Sequence, residues 1–191
     1  MLKSKPKKLA GILFLASFLS FSSIDSFAGE RSLGLFNSLK GFGISYQGTR
    51  HSDLFESLDL YADIYGFPLG RAAYYPGVKL VYLHNRVFSD FSKDCCNGFF
   101  YAGVGLSAGY VRDFEKKNLS YLANNLGFCT SVAGAAGVRF DFGSIALDLS
   151  MEIEAGLHLR GAEYHEHNVL ILYKNGIYQS FYPQLKIFWN F

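Results

Sequence analysis

The sequence predicts an all-β fold: eight antiparallel strands in up-and-down order, closed into a barrel. Three observations predict it. Apolar residues recur at every second position in several separate segments, as strands with two unlike faces require. Short and long connections alternate between those segments. After residue 28, no apolar run reaches the length of a membrane-crossing helix.

The amino terminus is a separate element. Lys3, Lys5, Lys7 and Lys8 precede an apolar run over residues 9–21, and Ser26, Phe27 and Ala28 then supply small residues at a cleavage spacing. Residues 1–28 are therefore expected to be a cleaved secretory signal peptide, and residues 29–191 one barrel domain. That segment carries four lysines and Asp25, so the remainder holds 14 basic and 15 acidic residues. A nucleic-acid partner, which needs a basic face, has no support.

The strands follow in order. Weaker alternation marks residues 31–36, 42–48 and 77–88. In 57–65, Leu58, Leu60, Ala62 and Ile64 alternate with Ser57, Asp59, Tyr61, Asp63 and Tyr65. In 102–110, Ala102, Val104, Leu106, Ala108 and Tyr110 alternate with Gly103, Gly105, Ser107 and Gly109. In 131–142, Val132, Gly134, Ala136, Val138, Phe140 and Phe142 alternate with Ser131, Ala133, Ala135, Gly137, Arg139 and Asp141. The cleanest strand is 145–160, with Ile145, Leu147, Leu149, Met151, Ile153, Ala155, Leu157 and Leu159 on one face. Asp148, Ser150, Glu152, Glu154, His158 and Arg160 line its other face, and a helix would scatter those carboxylates around its surface. The eighth strand is 181–191, with Phe181, Leu185, Ile187, Trp189 and Phe191 on one face and Tyr182, Gln184, Lys186 and Asn190 on the other.

Connections sort by length. Residues 141–144 form a tight turn, whereas 66–76, 113–125 and 161–175 read as longer loops gathered at the opposite end. The 37–41 connection is short for the loop end, and 89–97 is long for the turn end.

Periodicity alone does not say which face is inside. A secreted lipocalin-like carrier would turn its apolar faces inward around a small molecule. Three features favour apolar-out: uncharged apolar faces in the strong strands, glycine and alanine stripes beside charges on the opposite faces, and the absence of the Gly-x-Trp sequence that lipocalins carry near their first strand. Phe128 and Phe140, twelve residues apart, and Phe181 and Phe191, ten apart, would span roughly 25–30 Å along the membrane normal in tilted strands. That matches an apolar band flanked by aromatic girdles.

With a signal peptide, this strand rhythm and a terminal aromatic strand, the chain resembles the small eight-stranded bacterial outer-membrane β-barrel proteins. The resemblance implies a transmembrane barrel in the outer membrane of a Gram-negative cell envelope. It implies contact with outer-membrane lipid and lipopolysaccharide, and Phe181, Leu185, Ile187, Trp189 and Phe191 as the barrel-closing strand presented to the barrel assembly machinery. These motifs are shared by structural proteins, surface-interaction proteins and lipid-modifying enzymes.

The interior would hold Asp59, Asp63, Lys79, Arg139, Asp141, Asp148, Glu152, Glu154, His158, Arg160 and Lys186. A charge in a dehydrated interior is costly unless paired, so a network of ion pairs is expected. The stripes Gly103, Gly105, Gly109 and Ala133, Ala135, Gly137 would make room for Tyr61, Tyr182, Arg139 and Lys186. A sharper alternative makes Glu152 and Glu154, with Lys186 or Arg139, a proton or ion site. No catalytic set emerges. The His-x-Ser spacing of lipid A deacylases is absent, and His158 and His165 have no nucleophile placed beside them. Glu163, His165 and His167 would share a face if extended, a spacing that can hold a metal, but histidines in a solvated loop are usually no more than that, and no metal site is expected. Cys95 and Cys96 should lie at the turn end and Cys129 near the other rim, beyond disulfide reach. The expectation is a structural or surface-interaction protein, not an enzyme, with no cofactor and no metal.

Overall fold

A computed structural model describes residues 31–38, 41–51, 53–63, 77–93, 96–112, 126–160, 169–175 and 184–191. Nine strand segments result: β1 (Arg31–Ser38), β2 (Gly41–His51), β3 (Leu54–Asp63), β4 (Gly77–Lys93), β5 (Cys96–Arg112), β6 (Leu126–Asp141), β7 (Ile145–Arg160), β8 (Val169–Asn175) and β9 (Gln184–Asn190). Each of β1 to β7 pairs antiparallel with the next. β8 and β9 both run antiparallel to β7 at successive levels, from Glu154 to Arg160 and from Ile145 to Ser150, so they form one stave. β9 also pairs with β1, which closes an eight-stranded up-and-down barrel.

The closure is staggered. From Leu185 the ladder passes through Asn37, Phe42, Ala62, Val78, Tyr110, Phe128 and Leu159, and it returns to the last stave at Leu170 rather than at Leu185. A stagger of this kind tilts the strands relative to the barrel axis. The seam is stitched at the turn end, where Arg31 N donates to Phe191 O (3.2 Å), Phe191 N to Arg31 O (2.8 Å) and Asn190 N to Ser144 O (3.0 Å).

Alternation decides the faces. Leu33, Leu35, Ile44, Leu60, Val104, Leu106, Val132, Ile153, Leu157, Leu185, Ile187 and Trp189 are exposed on the outside. Ser45, Asp59, Lys79, Asn85, Ser107, Asp148, Glu154, His158 and Lys186 are buried inside. This inverts the arrangement of a barrel built to carry an apolar molecule in its interior. Phe128 and Phe140 both project outward, on opposite halves of β6. Phe181 lies outside the described residues.

Three expectations are corrected. Residues 89–97 are not a long connection: β4 runs to Lys93 and β5 begins at Cys96. Polar Asp90, Ser92 and Lys93 hid this hairpin, as did a register shift between Val87 and Ser89. Phe91 fastens it from outside, with ring centroids 5.6 Å from Phe100 and 5.7 Å from Phe140. Residues 161–175 are not all loop, since β8 occupies Val169–Asn175; its unbroken apolar start, residues 169–173, carries no alternation to read. In β9, Phe188 belongs to the inner face and is fully buried, so that face is not simply polar.

Candidate functional site: the charged interior

The interior is a ladder of polar groups set by the register. Lys79, on β4, reaches across the barrel to ion-pair with Glu154 on β7, and its Nζ lies 3.9 Å from Glu152. Glu154 also accepts from the hydroxyls of Ser107 and Ser131 (3.0 Å for Ser131), which lie 2.5 Å from each other on neighbouring strands. The Lys79 ammonium stands 4.9 Å from the Tyr61 ring centroid. Both members of the pair are buried, so the attraction acts with little screening and offsets a large desolvation cost.

A second pair lies at the seam. Lys186 on β9 donates to Asp59 on β3 at 2.5 Å, Asp59 also accepts from Ser45, and the Phe36 ring lies 5.3 Å from the ammonium. Arg139, Asp148 and Lys186 are direct cross-strand neighbours on β6, β7 and β9, so the acid sits between two bases. Asp148 accepts the Tyr101 hydroxyl, with 3.0 and 2.9 Å to its two oxygens.

Arg139 is the hub of the turn end. Its guanidinium donates to Gln47, to Ser32 Oγ (3.1 Å), to Asn190 Oδ1 (2.7 Å) and, from Nε and Nη2, to Asp141 Oδ1 (3.1 and 3.0 Å). Its carbon centre lies 5.2 Å from the Phe188 ring centroid. Asn190 continues the network to the β6–β7 turn by donating to Gly143 O at 2.7 Å. One planar fork thus ties β1, β2, β6 and β9 together. Below it opens a cavity of about 460 Å³ lined by Ser32, Gln47, Asp53, Phe55, Asp90, Phe99, Arg139 and Asp141, among others.

At the loop end, His158 Nε2 lies 2.9 Å from Val111 O, and buried Cys129 is its cross-strand neighbour. No disulfide joins Cys129 to Cys96, and Cys95 lies outside the described residues. Asp63 and Arg160 hold strand positions, but their side chains are outside the described set, as are Glu163, His165 and His167. Among the described residues no three metal-ligating side chains cluster.

The structure places Asp59, Lys79, Arg139, Asp141, Asp148, Glu152, Glu154 and Lys186 on the inner face, with Lys79 paired to Glu154 and Lys186 to Asp59. Lys79, not Lys186 or Arg139, faces the two glutamates. The small-residue stripes also serve other side chains: Gly137 stands opposite Tyr101, Gly109 opposite Lys79 and Gly103 opposite Asn85. Sequence reasoning passed over the neutral partners Ser32, Ser45, Gln47, Tyr101, Ser107, Ser131 and Asn190. Their signal was their inward parity beside a charge.

The sequence matches no protein-family model and no curated protein.

Proposed function

We propose that this chain is an integral outer-membrane β-barrel protein with a side-chain-filled interior and a structural or surface-interaction role. The observation that carries the reading is the pairing of an apolar exterior with a buried ionic interior. Burying Lys79, Glu154, Asp59 and Lys186 while exposing Leu106, Val132, Ile153 and Leu157 is unfavourable in water, and it suits a wall in contact with lipid. A closed ladder also suits lipid, because it leaves no sheet edge without hydrogen-bond partners. In this reading residues 1–28 direct export and are removed, and the barrel assembly machinery inserts the rest. Outer-membrane lipid and lipopolysaccharide surround it. The connections joining β3 to β4, β5 to β6 and β7 to β8, at the end opposite the β6–β7 turn, face outward from the cell. No catalysis is assigned.

Gel migration of the mature protein refolded in detergent, with and without boiling, tests this. A closed membrane barrel resists cold SDS and shifts when heated. Solubility in plain buffer, with no heat-dependent shift, would overturn it.

A further inference from the structure

Among the described residues, charged side chains gather on the outer wall at β3 and β4. The outward faces of β5, β6, β7 and β9 carry no charged side chain over residues 98–110, 128–140, 145–159 and 185–191. On β3 and β4 the outward positions include Glu56, His84 and Arg86, next to Asp53 in the β2–β3 turn. His84 Nδ1 lies 3.8 Å from Glu56 Oε1, and Arg86 Nε 3.8 Å from Asp53 Oδ2. Tyr46 and Tyr82 flank the pair on the same face. The sector is not simply the end of the apolar belt. His84 stands across from Val104, whereas the turn-end aromatic of that strand, Phe100, lies closer to the turn. Phe88 follows Arg86 toward the turn and is itself exposed.

Charged groups at belt depth normally face protein or a water-filled space, since lipid offers them no partners. Here the Arg86 side chain is 72% exposed and that of His84 44%. The layout of the charges indicates what covers them. The acids Asp53 and Glu56 form one column on β3 and its turn, and His84 and Arg86 form a parallel column on β4. A closed, symmetric pair of copies inserted in the same direction is related by a two-fold axis along the membrane normal. Such an axis keeps depth and exchanges left for right, so the acidic column of one copy meets the basic column of the other.

We infer that the β2–β3–β4 face is a homodimer interface, in which Arg86 and His84 of each protomer meet Asp53 and Glu56 of its partner. The inference rests on the membrane-barrel reading. The surface is self-complementary, and Tyr46 and Tyr82 supply the large, rigid contact groups that interfaces favour.

The test is the mass of the detergent-extracted barrel by light scattering, with the detergent contribution subtracted and the heat-dependent gel shift read on the same samples. The wild type should contain two barrels per micelle and Arg86→Asp one. Asp53→Arg combined with Arg86→Asp, which exchanges the charges of that rung and leaves Glu56 and His84 in place, should restore two. All three should keep the gel shift, which separates loss of the interface from loss of the fold. A heat-shifting wild type with one barrel per micelle overturns the dimer and leaves the barrel reading standing. If that monomer also retains phosphate through detergent exchange, the sector holds a phospholipid headgroup instead. A dimer that survives both Arg86→Asp and Glu56→Gln places the interface elsewhere and overturns the inference. Absence of any gel shift removes the membrane reading and the dimer with it.

Discussion

The ring of Phe188 occupies the space over Gly34, its direct cross-strand partner at the β1–β9 seam. A Cβ added at Gly34 would stand 2.5 Å from Phe188 Cδ1. The buried ring also receives the Arg139 guanidinium. Glycine opposite an inward aromatic is how this narrow barrel accommodates its rings. Gly43 opposite Phe36 and Gly137 opposite Tyr101 repeat the device.

Gly34→Val should therefore open the seam. Forced overpacking costs about 1–3 kcal/mol, and Phe188→Ala alone about 3–5 kcal/mol through the cavity it leaves. The two changes together should cost less than their sum. Urea unfolding in micelles reads all three, and strict additivity would contradict the contact.

Lys79→Met should destabilise the barrel by about 3–5 kcal/mol, because it strands Glu154 as an unpaired buried charge. Adding Glu154→Gln should recover a large part of that loss. The same unfolding assay measures it, and a double variant that loses the sum of the Lys79→Met and Glu154→Gln losses would show that the two side chains do not depend on each other.

Arg139→Lys should not substitute for the native residue. A lysine cannot fork to Asp141, Gln47, Ser32 and Asn190 at once, so the turn end should loosen. Faster amide exchange in β1 and β9 at the turn end, with β5 unchanged, is the expected pattern.

Gly143 is the one described residue that combines a tight turn with a positive φ, 88°. Gly143→Ala should cost about 1 kcal/mol from backbone strain alone, since nothing crowds the position. A larger loss would mean that the turn tolerates less than its open surroundings indicate.

The filled interior should carry no steady ionic current across a planar bilayer. Stable ohmic steps from the folded wild type would contradict the side-chain packing around Lys79 and Asp59.

Legibility in the sequence followed the range of the interactions. The 145–160 alternation and the tight turn before it placed β6 against β7, so the Arg139–Asp148 pairing was already implicit in the hairpin. Lys79 and Glu154 belong to β4 and β7, which do not adjoin in the sheet. No local pattern joins them, and only closure brings them together. β8 was missed because its first five residues are all apolar, and the β4–β5 hairpin because its turn end is polar. Phe188 was overlooked because it stands among Gln184, Lys186 and Asn190, whose polarity masked the one aromatic on that face. The charges on β3 and β4 went unread because His84 and Arg86 lie in the weaker 77–88 alternation and Glu56 just before the strand read over 57–65.

The seam also sets an order in time. Ser32 and Asn190, 158 positions apart, share a hydrogen bond across it. Until β9 arrives, β1 and β7 each expose an unsatisfied edge, ready to pair with any strand nearby. No sequence of hairpins grown from the first strand can cover both edges early, so closure is the slow, concerted event and the waiting chain the vulnerable one.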